Sequence, residues 1–200
     1  MGLTLITKPT SEPVTVEETK QHCRIDINDD DALLAGYIIS ARRWIETQVG
    51  PLLSQTWDYT IDRCWPMVGN YYGIRLPFSP VSSVTSVSYV DTDGATQTLS
   101  GSLYTTQLDI PVPTIWRAYN QSWPSIRDVP AAITVRFVCG YTSMREVPDP
   151  LRMAVMLLTG HLYEHREDVI VPTLPTQIPS QLPMGVEALI SPYAIAQRMW

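Results

Sequence analysis

The stretch that decides the fold runs from Asp30 to Val49 and reads DDALLAGYIISARRWIETQV. Its apolar residues Leu33, Leu34, Tyr37, Ile38, Ala41, Trp44 and Ile45 recur at intervals of one and three, which places them on one face of an α-helix. Arg42, Arg43 and Glu46 fall off that face. Acidic residues at its start suit the positive end of the helix dipole, with Asn28 or Asp29 as the expected cap. Gly50-Pro51 is a stop signal. Reading Asp26, Asn28 and Asp30 as calcium ligands fails on chemistry. Asp31 stands where the loop requires Gly, and Tyr37 stands where it requires Glu.

Upstream, Thr15-Val16-Glu17-Glu18 has the form of a capping box, so a short helix is expected over roughly Val16 to Cys23. Downstream the period changes to two. Thr56 to Asp62 alternates as a strand, and shorter strand signals follow at Ile74–Pro77, Val84–Val90, Thr96–Leu99, Tyr104–Thr106 and Thr114–Arg117. Asp91-Thr92-Asp93-Gly94 is a hairpin loop. Ala132 to Tyr141 is the best strand of the set. A meander or small sandwich of six or seven strands is expected over residues 55–141.

A second long helix is expected from Asp149 as cap and Pro150 at the first helical position to about Arg166. Leu151, Ala154, Val155, Leu158 and Leu162 form one stripe. Met153, Met156 and Leu157 widen it around most of the helix, and a helix so apolar is buried on several sides. These three residues are candidates for a lateral interface with a neighbouring subunit. Beyond it, Pro172, Pro175, Pro179 and Pro183 exclude a regular helix or central strand through that stretch, so an extended arm is expected over 171–200. Its tip turns apolar, with Tyr193, Ile195, Arg198, Met199 and Trp200 as candidate docking residues. The expected organisation is α+β: one domain over 1–170, made of a helical core (14–54 and 147–170) and a β-insertion (55–141), then the arm.

Composition narrows the function. Charged residues are 17% of the chain against 44% hydrophobic, a shortage of surface charge that fits burial by partner chains. Six Trp and ten Tyr point the same way. A net charge of −6 without a Lys/Arg cluster argues against a free-standing nucleic-acid binder. Cys23, Cys64 and Cys139 lack CxxC spacing, and their odd number argues against a disulfide framework. No apolar run approaches the length of a membrane span, and the first residues lack a signal-peptide pattern.

His161-Leu162-Tyr163-Glu164-His165 matches an inverted zinc-protease pattern, H-x-x-E-H. A third ligand is wanting: after Asp168 the only carboxylate side chain is Glu187. The motif reads instead as a helix C-terminus, where His165 and Arg166 complement the dipole. There is no nucleophile elbow and no phosphate loop. No catalytic, cofactor-binding or metal residues are therefore assigned. An alternative reading uses Trp57, Trp65, Trp116 and Trp123 as the face of a carbohydrate-binding module.

The order of segments carries a resemblance. Val16-Glu17-Glu18-Thr19-Lys20, Asp29 to Leu34, and Ala41-Arg42-Arg43-Trp44-Ile45-Glu46 resemble the N-terminal helices of phage head–tail connector (adaptor) proteins. Gln55-Thr56-Trp57, Leu76-Pro77 and Val87 to Asp91 resemble the β-insertion of one branch of that family. Val147 to Arg152 and His161 to Glu167 resemble its closing helix. The resemblance implies a non-enzymatic subunit without cofactor, assembled in the host cytoplasm and placed in the virion neck. It implies a ring, commonly twelvefold, of copies beneath the portal protein, with stopper or tail proteins below. Genomic DNA would pass through the ring without sequence-specific binding. Pro172 to Trp200 would be the portal-docking arm, and no membrane is implied.

Overall fold

Helices and antiparallel sheets make this an α+β chain, of which the computed structural model describes residues 1–62, 65, 67–68, 71–165 and 184–194. Contacts divide it into two units. The strand unit comprises Met1–Thr10 and Leu53–Thr142. The helical unit comprises Ser11–Leu52 and, among the described residues, 143–165 and 184–194.

The helical unit begins with α1 (Val16–Cys23). Thr15 Oγ1 accepts from the Glu18 amide at 3.1 Å, and Glu18 accepts from the Thr15 amide at 2.8 Å, which completes the capping box. The next helix, α2 (Asp31–Val49), buries Leu34, Ile38, Ala41, Ile45 and Val49. Its cap differs from expectation. Asp30 is the N-cap and makes no side-chain cap bond. Its carboxylate instead accepts from the Tyr163 hydroxyl at 2.6 Å, while Asn28 accepts from Lys20. Gly50 ends α2 at φ 90°, a left-handed value that glycine adopts without strain.

Helix α3 (Asp149–Glu164) buries Leu151, Ala154, Val155 and Leu158 along the expected stripe. Pro148 is its N-cap, so Asp149 lies in the first turn rather than before it. The helix stops two residues short of Arg166, and His165 is the C-cap. Within the arm expected to be extended, residues 184–194 form a fourth helix, α4 (Met184–Ala194), which packs on α3 and α2. Val186 and Ile190 are buried there. Pro192 lacks the N–H that would reach the Ala188 carbonyl, but the Ser191 hydroxyl donates to that carbonyl at 3.2 Å. Polarity lost from the backbone is thus restored locally, and the helix continues through the proline.

The strand unit holds two sheets. One has the order β1-β2-β9-β5-β6, where β1 is Gly2–Thr7, β2 Gln55–Ile61, β5 Val81–Val90, β6 Thr96–Thr98 and β9 Ile133–Cys139. The other has the order β3-β4-β8-β7, with β3 Met67–Val68, β4 Tyr71–Arg75, β7 Tyr104–Gln107 and β8 Thr114–Arg117. All ladders are antiparallel. Strands β1 and β3 add to those expected. Strand β9 lies at the centre of its sheet, and its residues Ile133, Val135, Phe137 and Cys139 alternate inward onto a core with Ile74, Leu76, Val87 and Ile115.

Candidate assembly surfaces

Polar ties close the helical unit over long sequence distances. Arg42 is buried on α2. It donates from Nε to Glu12 and from Nη1 to Glu46, each at 2.6 Å. Burial works against its charge, but the two carboxylates more than offset that and hold the guanidinium protonated. Glu46 also accepts from the Leu52 amide at 3.0 Å, so one cluster fixes both the entry to this unit and the turn after α2. Arg152 on α3 donates to the Pro13 carbonyl at 3.1 Å and to Glu18 at 2.6 Å. The Thr15 amide and Arg152 hold the Glu18 carboxyl below its usual range despite some opposing desolvation. These groups are structural. Each is engaged in a hydrogen bond or ion pair within the unit.

The residues expected at a lateral interface sit together on α3. Met153 is 40% exposed, while Met156 and Leu157 are half-buried. Gly185 of α4 lies beside Leu157, where an added Cβ would come within 3.8 Å of Leu157 Cδ1. On α2, Leu33 and Ile39 also remain exposed. Of the expected docking residues, Tyr193 lies half-buried in the last turn of α4. Pro172, Pro175, Pro179, Pro183, Ile195, Arg198, Met199 and Trp200 lie outside the described residues.

The H-x-x-E-H segment occupies the last turn of α3. The rings of His161 and His165 are 4.5 Å apart, and His165 Nδ1 lies 3.1 Å from the His161 carbonyl. That is the helix-end arrangement suggested for His165, while Arg166 lies outside the described residues. Nearby, burial and the Glu164 charge push the Cys23 thiol up, which suppresses the thiolate. No group of three or more metal-ligating side chains occurs among the described residues, and none of their helices is long and apolar enough to cross a membrane.

The tryptophans of the strand unit do not form an exposed platform. Trp65 is buried, stacks on Trp123 with centroids 4.5 Å apart, and donates to the Pro124 carbonyl at 2.9 Å. Trp57 meets Phe78 edge-on at 5.1 Å. Trp116 lies over Gly73, where a Cβ would come within 2.8 Å of its ring, and it donates to Gln107 at 3.2 Å. Trp57, Trp65 and Trp123 pack into or against the core, whereas Trp116 is half-buried outside it, so the four rings do not share one exposed face.

What the strand unit does expose is β1, a feature the sequence reading missed. All six of its residues are exposed, including Leu3 at 42%, Leu5 at 37% and Ile6 at 45%. The alternation Leu3-Thr4-Leu5-Ile6-Thr7 and its β-branched content were the available signal. Tyr119, at the tip of the turn after β8, is 98% exposed.

Comparison with known proteins adds to this geometry. Residues 13–106 match the model of the phage gp6-like head-tail connector protein family. Three solved chains share the fold along nearly the whole length. One belongs to the virion of a native gene transfer agent particle, with TM-score 0.74 and 25% identity, covering 96% of this chain and 95% of that one. The second is from the neck of an empty gene transfer agent particle computed with C6 symmetry, with TM-score 0.72, 24% identity and coverage of 96% and 95%. The third is from the neck of a native gene transfer agent particle computed with C12 symmetry, with TM-score 0.72, 24% identity and coverage of 96% and 94%. No curated protein matches the sequence.

Proposed function

We propose that this chain is a structural, non-enzymatic member of the phage head–tail connector family whose copies form a ring beneath the portal vertex, extend the DNA channel and join the capsid to the tail. The observation that carries the reading is the family match together with likeness, over 96% of the chain, to a chain of a gene transfer agent virion. Necks computed with C6 and C12 symmetry hold chains of the same fold, and a twelvefold ring is the arrangement adopted for this one. In such a ring each copy meets its neighbours through two different surfaces. Met153, Met156 and Leu157 supply one of them, and the exposed Leu33 and Ile39 of α2 are available to the other.

The portal is bound by the C-terminal segment, with Tyr193, Ile195, Arg198, Met199 and Trp200 at its tip and Pro172, Pro175, Pro179 and Pro183 spacing the approach. Stopper or tail proteins sit below. A net charge of −6 suits a conduit through which DNA slides without sequence-specific binding, because basic contacts would hold the phosphates. The particle neck is the resulting location, reached by assembly in the host cytoplasm.

The structure fixes how this is tested. Deleting 171–200 removes Val186 and Ile190 from the helical core, so a loss of function would mix folding with docking. Deleting 195–200 leaves α4 whole. The expected result is a chain that folds with wild-type thermal stability but no longer joins portal-containing heads. Normal acquisition by heads would show that the tip does not dock the portal.

A further inference from the structure

Strands β1 and β2 are consecutive and paired, yet residues 8–54, with α1 and α2, lie between them. Every other strand follows that excursion. Strand β1 stands at the edge of its sheet, and among the described residues it pairs with β2 alone. None of its six side chains is buried. Even Leu3 and Leu5, opposite Tyr59 and Trp57, keep 42% and 37% exposure. At its start the terminal amine meets Asp62 at 2.7 Å and the Thr60 hydroxyl donates to the Gly2 carbonyl at 3.2 Å, both on the surface. An exposed ion pair contributes little. A strand with one ladder and no buried side chain belongs to the least stable part of a fold.

The chain just beyond β1 is held more firmly. Only Lys8-Pro9-Thr10-Ser11 separates β1 from Glu12. Arg42 of α2 donates to the Glu12 carboxylate from Nε at 2.6 Å and from Nη2 at 3.2 Å. Pro13 and Val14 are buried, and Arg152 of α3 donates to the Pro13 carbonyl. At the other end of the excursion, Glu46 accepts from both Arg42 and the Leu52 amide. Only Leu53 and Ser54 then precede β2. One guanidinium therefore bridges the two ends of the excursion. The loop that joins β1 to β2 is closed through residues 8–11, the Arg42 clasp and residues 53–54, instead of through a free chain from 8 to 54. A shorter closure costs less entropy and presents β1 to its partner at a higher effective concentration. We propose that β1 is a releasable edge strand, kept on the sheet by this short anchored tether more than by its own side chains. Its occupancy of the sheet is set by the helical unit, through the length of chain between Thr7 and Glu12. Release uncovers the edge of β2, which carries Trp57 and Tyr59.

The test is native-state hydrogen exchange of the free, full-length chain, read at the β1 amides bonded to β2. An insertion of about twelve Gly and Ser residues between Thr10 and Ser11 lengthens the tether about fourfold and leaves every contact of β1 in place. Exchange in β1 is expected to rise about eightfold, following the three-halves power of tether length, with β9 and α2 unchanged. Leu5→Ala trims a β1 contact without touching the tether, and its effect on β1 exchange is expected to be smaller than that of the insertion. Glu12→Gln weakens the anchor and is expected to raise β1 exchange in the same direction. Unchanged β1 exchange on insertion overturns the proposal, as does a larger effect from Leu5→Ala, because β1 would then be held by its own contacts. An equal rise in β1 and β9 also overturns it, because β1 would then open only with the whole unit.

Discussion

The two units of this chain are held together in different ways. The strand unit relies on backbone ladders and an apolar core, with Asp58–Arg136 as a paired charge across β2 and β9. The helical unit adds charged and polar ties between segments far apart in the chain: Arg42 to Glu12, Arg152 to Glu18 and Pro13, Tyr163 to Asp30. A ladder satisfies its inner strands and leaves its edges open. A helix bundle satisfies its own backbone, so its remaining surface is decided by side chains. The difference teaches where each unit leaves surface open: the strand unit along an edge such as β1, the helical unit on faces such as that of Met153.

The largest effect is expected from the strand core. Phe137→Ala should cost about 3–5 kcal/mol, the usual range for emptying a buried aromatic site, read as a lowered denaturation midpoint. Arg42→Met breaks the comparison in the other direction. It should destabilise the helical unit by about 3 kcal/mol by leaving Glu12 and Glu46 facing a partly buried site without their cation, and hydrogen exchange should localise the loss to α2 rather than to β9. An equal rise in exchange in both units would show that the ties are not specific to the helical one. Thr15→Ala removes one cap bond of α1 and should cost about 1 kcal/mol in the same unfolding measurement. Arg136→Ala, which removes an exposed cross-strand pair, should cost less than the cap.

Acid provides a further comparison. The Glu18 carboxyl titrates below its usual value of 4.5 in the folded chain. Its contribution is therefore complete above that value and is lost as pH falls through the depressed folded value. The wild type should lose stability on acidification more steeply than Glu18→Gln, and a parallel pH dependence of the two would contradict the assignment. The effect is small because the group is largely solvated.

Much of the helical unit was legible in the sequence because its signals are local. The Thr15–Glu18 box and the α3 stripe repeat within a few residues and appear in the fold, and the α2 stripe appears through Leu34, Ile38, Ala41 and Ile45, although Leu33 is exposed and Arg42, expected off that face, is buried against Glu12 and Glu46. The cap of α2 was not legible, because Asp30 is claimed by Tyr163, 133 positions away. Proline density hid α4, since the compensation at Pro192 comes from a single serine hydroxyl. The tryptophans suggested a binding face because sequence shows composition and not register. Only the pairing of β2 with β9 and the stacking of Trp65 on Trp123 reveal Trp57, Trp65 and Trp123 as parts of the core. Strand β1 was missed for a related reason. Its partner is β2, about fifty residues downstream, and its place at the sheet edge shows only once that pairing is known.

The central claim is that copies of this chain close a ring beneath the portal. The most direct measurement is cryo-electron microscopy of heads assembled with the wild-type chain and with the 195–200 deletion. The account predicts a closed ring of copies directly below the portal in the first, with α2 of each copy facing α3 of the next, and a bare portal in the second. Wild-type heads with no ring at that vertex, or with the chain bound elsewhere on the particle, would contradict it.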